Sequence, residues 1–323
     1  MRRGWKVALA VAFALAVLLA VNTVVTDQQT KPAEVTVAGG RILHLTGGDL
    51  QVVDTPPKRK RHAGAPIVLL HCYGCSLHWW DRVVPLLERD HRVIRIDLLG
   101  FGGSEKPKAD YSMEEEGQLV ALALGRLDVE GAVVVGHSMG FDVATAVAKQ
   151  SSELVDRLVD IDEGPDSSYN AGFPFLAQLA YVPVIGEALN RIVPDPVVRD
   201  SYGVAFAPGY NLGDFGDVVV DSFHAMTYTS YDRAASEEGD YTDEVPLDER
   251  VRSTAVPLLV IFGTEDQLWD DPAATADAYR SVPGAEIKMI HGAGHSPNVE
   301  KPDETARAIL KFAAEAGAAR GQR

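Results

Sequence analysis

A chain of 323 residues, 46% hydrophobic and 24% charged, can bury a large core and is not a disordered protein. Its formal net charge of −16 argues against a nucleic-acid or anionic-lipid surface on the folded body. The two cysteines, Cys72 and Cys75, form a C-x-x-C pair, which can mark a thiol–disulfide centre or half a zinc site. What surrounds them has to decide between those readings and a third, that they are ordinary loop residues.

The chain starts "MRRGWK", with no acid in the first 25 residues, and continues as an unbroken apolar run over 7–21 that extends to 25. As a helix, residues 7–25 would span roughly 28 Å, close to the hydrocarbon thickness of a bilayer. The run is long for a cleaved signal peptide, and no clean A-x-A site follows it. The expectation is an uncleaved signal anchor with the lipid bilayer as its partner and the body extracytoplasmic; secretion after cleavage is the alternative. That compartment would permit a disulfide. Residues 1–34 are therefore read as anchor and linker.

Short β-type runs "VTV", "RILHL" and "LQVVD" follow, separated by the glycine turns "AGG" and "TGGD", and suggest an antiparallel start. The basic, Pro-rich "PPKRKRHAGAP" reads as a solvated connector. The apolar runs "IVLLH", "RVIRID", "AVVVGH", "LVDID" and "PLLVIF" then alternate with helical stretches, which implies an α/β fold with a mostly parallel sheet flanked by helices. Residues 166–249 break that rhythm; "DVVV" is the one strand-like run there. An interval this long is expected to be a helical cap over the strand ends, inserted between core segments 35–165 and 250–318. Within it, "FPFLAQLAYVPVIGEAL" offers an apolar face that could roof a site or dip into a bilayer.

"AVVVGHSMGFDVATAVA" reads strand, sharp turn, helix, with the G-x-S-x-G pattern on the turn. Small flanking residues let strand and helix pass closely, which lifts the Ser138 hydroxyl clear of the sheet. A serine needs a base. His295, in "IHGAGHSPNVEKP" after the expected last strand "EIKMI", is on a loop able to reach it. His137 adjoins the serine, but its side chain should point to the opposite face and be structural. Asp266, four residues past Phe262, is the expected partner of His295. Asp162 is the second choice, while Asp270 and Asp271 read as helix caps before Pro272. Trp79, Phe101 and Phe141 are candidate pocket residues that are equally compatible with core packing.

"HRVIRIDLLGFGGSEKP", "GHSMG" and "GAGHSPNVEKP" together resemble the α/β-hydrolase family in its capped form, from about residue 35 to 312. The order Ser, Asp, His agrees with that arrangement. The resemblance implies that "HCYGCS" stands where such enzymes carry their oxyanion loop, so that the backbone N–H groups of Tyr73 and Met139 would hold an oxyanion. The cysteines then occupy small-residue positions, and the redox reading recedes. A zinc site would need a second C-x-x-C. No metal or organic cofactor is implied. A serine nucleophile argues against dehalogenase or epoxide-hydrolase chemistry, because the ether it would form cannot be hydrolysed as an ester can. The expected activity is hydrolysis of a small-molecule carboxylic ester, apolar or lipid-like. Carbon–carbon hydrolysis of a dienoic acid is the second enzyme reading, for which Arg191, Arg199 and Arg233 would have to grip a carboxylate. A non-catalytic binding protein is the third.

Overall fold

The computed structural model describes residues 2–26, 30–59, 64–172, 177–182 and 184–320. Most of the basic connector's charged centre and the start of the apolar cap run lie outside them. Eight strands build one sheet: β1 (Gly40–Leu45), β2 (Gly48–Thr55), β3 (Ile67–Leu70), β4 (Val93–Ile96), β5 (Ala132–His137), β6 (Val155–Ile161), β7 (Leu258–Gly263) and β8 (Glu286–Ile290). Their spatial order is β1-β2-β4-β3-β5-β6-β7-β8, and only β2 runs antiparallel to its neighbours. β1 and β2 form a hairpin whose turn places Gly47 at φ 110°, a conformation that favours glycine. "VTV" is not a strand: Thr36 instead donates its N–H to the Gln51 side chain.

Every residue of β3, β4, β5 and β7 is buried, as expected for strands covered on both faces. Ahead of the sheet the chain forms α1 (Arg2–Thr26), and between its strands α2 (Val84–Leu87), α3 (Met113–Arg126) and α4 (Met139–Gln150). From β6 to β7 come α5 (Ile185–Ile192), α6 (Asp195–Ser201), α7 (Phe215–Ala225), α8 (Tyr228–Glu244) and α9 (Leu247–Thr254). The chain ends with α10 (Pro272–Ala278), α11 (Pro297–Glu300) and α12 (Pro302–Arg320). "DVVV" belongs to α7 rather than to a strand, because Val219 and Val220 bury one helical face against Trp79, Phe206 and Phe215. α3, α4 and α9 cover one face of the sheet, and α2 and α12 the other. Ile309 and Phe312 of α12 pack there on Val133, Val135 and Leu259. Each such buried side chain contributes about 2 kcal/mol.

α1 carries an apolar window, Gly4–Val21, long enough to cross a membrane, and Leu19 is the one residue of that window that is partly buried rather than exposed. α1 packs against α5 of the insertion. The linker that follows is bonded to the body: Lys31 and Lys106 exchange backbone hydrogen bonds, and Lys31 Nζ donates to the carbonyls of His224, Ala225 and Met226 at 3.0, 3.1 and 3.0 Å. A cation there complements the negative end of α7.

Glu116 is buried beneath the loop after β4, where one oxygen accepts from Leu99 N–H at 3.1 Å and the other has no partner among the described residues. Burial pushes its pKa up to about 8. The folded state thus keeps a proton that the unfolded chain releases near pH 4.5, so this group's contribution to stability falls as pH rises from there to about 8. E116Q, which retains the Leu99 bond, should remove that component, about 1.4 kcal/mol per pH unit, in denaturant titrations at pH 5 and pH 8. Identical pH slopes for the two proteins would refute it.

Candidate active site

Ser138 sits between β5 and α4 with φ 51° and ψ −129°, a backbone conformation a non-glycine residue holds only where its surroundings impose it. Both flanks impose it. A Cβ on Gly136 would lie 2.3 Å from the Phe141 backbone, and one on Gly140 would lie 2.5 Å from the Leu70 carbonyl oxygen. The Ser138 N–H donates to the Ile161 carbonyl at 2.9 Å, which ties the turn to β6. Met139, as the first residue of α4, has no acceptor for its N–H within the helix.

His295, on the loop after β8, donates from Nδ1 to Asp266 Oδ2 at 2.7 Å, and both are buried. Asp266 also accepts from the Leu268 N–H at 2.8 Å, so both carboxylate oxygens are fixed. With Nδ1 donating, His295 Nε2 is left as an acceptor. His137 turns away from the serine and donates from Nε2 to the His295 carbonyl at 2.7 Å. Burial, and then the neighbouring His295, hold His137 well below the ordinary histidine pKa, so it is neutral. Glu300 secures the same loop by accepting from Gly294 at 2.9 Å and from Ala207 of the insertion at 3.0 Å.

Cys72 and Cys75 are joined in a disulfide. Between them Gly74 takes φ 69°, and a Cβ there would lie 2.5 Å from the Tyr202 hydroxyl, which donates to the Gly74 carbonyl. His71 holds the loop from below, donating from Nδ1 to the Cys72 carbonyl at 2.8 Å while Nε2 accepts from Leu98 N–H at 3.0 Å. Tyr73 reaches the insertion, its hydroxyl donating to the Tyr231 carbonyl at 2.6 Å. Phe101 stands edge-on to both His71 and Tyr73. Trp79 stacks on Phe206 at 5.7 Å beneath the insertion, whereas Phe141 is buried behind the turn, edge-on to Tyr279. Asp271 caps α10 by accepting from Ala273 and Ala274.

Four further acids lie in this neighbourhood: Asp162, the second choice from the sequence, and Glu163, Asp142 and Glu238, which were not predicted. Asp162 lies against Asp266, and its other partner is the Gly263 N–H at 2.8 Å. Burial, then the Asp266 charge, push its pKa well up, which favours Asp162 as the member that carries a proton; its Oδ2 has no other partner among the described residues. Glu163 lies near enough to Ser138 to interact with its hydroxyl, accepts from the Gly164 N–H at 3.0 Å, and in turn lies beside Asp142 and Glu238. "DIDEGP" carried a signal for the first two, acids at the carboxyl end of a central parallel strand, where such sheets bind ligands. Nothing local to "EEGD" distinguishes Glu238. The cap arginines stand apart: Arg199 is paired with Asp217, Arg233 is exposed, and Arg191 lies with Lys31, His224 and Tyr228.

Asparagine at 162 tolerates the positive φ of 55° and can both accept from Gly263 and donate to Asp266. D162N should therefore keep stability within about 1 kcal/mol, while D162A should cost roughly 2 kcal/mol by stranding buried polar groups. Urea melts of the two variants decide it, and equal losses would show that the shared proton is absent.

A model of the alpha/beta hydrolase family matches residues 67–308. A 2-hydroxymuconate semialdehyde hydrolase from Pseudomonas sp. strain CF600 is 30% identical over 275 residues, which cover 80% of this chain and 89% of that one. An uncharacterized Mycobacterium tuberculosis protein is 28% identical over 263 residues, 77% of this chain and 75% of that protein. Among solved structures, the enol-lactonase of Burkholderia xenovorans LB400 superposes with a TM-score of 0.68 over 84% of this chain and 99% of its own, at 23% identity. The strained serine turn, the eight-stranded sheet and these matches agree: the chain belongs to the alpha/beta hydrolase family and is a hydrolase.

Proposed function

We propose that the protein is a serine esterase in which Ser138 attacks an ester carbonyl, His295 takes its proton, and Asp266 orients the imidazole. The observation that carries this reading is the buried 2.7 Å bond from His295 Nδ1 to Asp266, which leaves Nε2 as the acceptor on a loop braced against the Ser138 turn. In this reading rotation about χ1 brings the Ser138 hydroxyl to His295 Nε2. The Tyr73 and Met139 amides would hold the oxyanion, each donor contributing roughly 3 kcal/mol to the transition state. His295 then returns its proton to the departing alcohol, and water releases the acyl group by the same steps in reverse.

Carbon–carbon hydrolysis is the second reading, favoured by the likeness to the Pseudomonas hydrolase. The placement of the cap arginines weighs against it. Arg199 pairs with Asp217, Arg233 is exposed, and Arg191 lies with Lys31, His224 and Tyr228, so none is placed to grip a carboxylate at Ser138. Trp79 and Phe101, as apolar walls, suit an apolar acyl group; Phe141 would act from behind the turn.

We further propose that α1 anchors the chain in a bilayer with the body on the extracytoplasmic side, and that the substrate is lipid-like. Supporting this, Ile185, Leu189 and Ile192, spaced along one face of α5, are 42%, 43% and 74% exposed beside α1. An apolar stripe of that kind suits the membrane interface.

On p-nitrophenyl esters of increasing acyl length, S138A should lose turnover by about 10³-fold or more. Rates unaffected by S138A would sink the esterase reading, and turnover of a dienoate without ester hydrolysis would favour the second. Replacing Cys72 and Cys75 with glycine should leave most ester hydrolysis intact, whereas complete loss in a folded variant would point to redox chemistry. Alkaline carbonate should leave the full chain in the membrane pellet and release a chain lacking residues 1–26; release of both would refute the anchor.

A further inference from the structure

Asp142, Glu163 and Glu238 come from three elements: the first turn of α4, the residue two past β6, and the insertion helix α8. Each presents a carboxylate oxygen within 4.8 Å of the other two. Asp142 is 0% exposed, and neither of its oxygens has a hydrogen-bond partner among the described residues. A second unpartnered group is independent of the carboxylates. Tyr279 is 0% exposed, its hydroxyl also lacks a partner, and it lies within electrostatic reach of Asp142, Glu163 and Asp160. The base that reaches Asp142 electrostatically is Arg250, whose donors are committed to the Tyr241 and Val245 carbonyls while its guanidinium lies over the Tyr241 ring.

Buried carboxylates without hydrogen-bond donors are costly unless protons or a cation balance them. We propose that Asp142, Glu163 and Glu238 bind one hard divalent cation, which clamps the insertion helix α8 to the core beside Ser138. An all-oxygen donor set suits calcium or a similar ion, for which oxygens up to about 5 Å apart can share one ion at 2.3–2.6 Å. The buried, unpartnered Tyr279 hydroxyl is an uncharged oxygen in the same electrostatic neighbourhood. Glu238 is half-buried and gives the ion access from the cap side. The raised pKa of all three acids, caused first by burial, agrees with a site that carries more negative charge than its protein surroundings balance. This assignment stands whether or not the esterase reading does.

The test uses the full chain in detergent with calcium chloride as the probe. Relative to EDTA, 10 mM calcium should raise the melting temperature by on the order of 5 °C, and sodium chloride at matched ionic strength should not. Calorimetric titration should give one site. In EDTA, D142N and E238Q should melt at or above the wild-type temperature, since each removes an unbalanced charge, and both should lose the calcium shift. Should D142N fail to fold, E238Q at the half-buried position decides alone. A calcium shift no larger than that of sodium chloride, or one that survives in E238Q, would overturn the site and leave protons as the balancing charge.

Discussion

The close passage of β5 and α4 around Ser138 is the constraint on which the rest of the site depends. Gly136 and Gly140 are there because any larger residue would collide with the Phe141 backbone or the Leu70 carbonyl. That proximity forces Ser138 into its strained φ and puts the start of α4 directly behind it. It also turns His137 away from the serine, so that its ring can brace the loop carrying His295. Strain at the turn is tolerable because β5 and its neighbour β3 are buried throughout and do not yield.

A second theme is the handling of negative charge. The acids flanking the site do not behave alike, although several are equally buried. Asp266 is held between the His295 ring and the Leu268 amide. Asp162, pressed against it, is pushed toward its neutral form by burial and by the Asp266 charge. Asp142, Glu163 and Glu238 have no such settlement, since the nearby guanidinium of Arg250 is engaged elsewhere. Two adjacent carboxyl groups resolve their repulsion by sharing one proton. Three, of which Asp142 has no donor among the described residues and Glu163 only the Gly164 amide, call for a cation.

The insertion is joined to the core by polar and aromatic contacts that converge on the same region. Tyr73 and Tyr202 link the disulfide loop to the insertion, Glu300 links it to the His295 loop, and Trp79 fills the space between. Lys31 adds the linker, with its ammonium on three carbonyls at the end of α7. The apolar N-terminal helix is thereby coupled to the insertion rather than trailing from the body. Movement of the insertion would disturb the disulfide loop, the His295 loop and the linker together.

Some of this was legible in the residues alone. Period and punctuation identify the buried strands and the sharp turn at Ser138, because a parallel strand must be apolar throughout and an elbow must have glycines beside it. "DVVV" misleads for a related reason: a short valine run has no period long enough to separate a strand from the buried face of a helix, and only Trp79 and Phe206 across from it decide. Asp162 and Glu163 stand at a strand end where chemistry concentrates, yet nothing in "DIDEGP" says which of them contacts Asp266 and which the serine. Glu238 is 75 residues further along and indistinguishable from the surface acids around it. What the sequence by itself determined is the family, the sheet and the residues of the serine turn, all of which depend on local spacing and burial. Only the tertiary structure decided which acid bonds which partner and which acids are brought together, because burial and mutual repulsion depend on distances that chain order does not set.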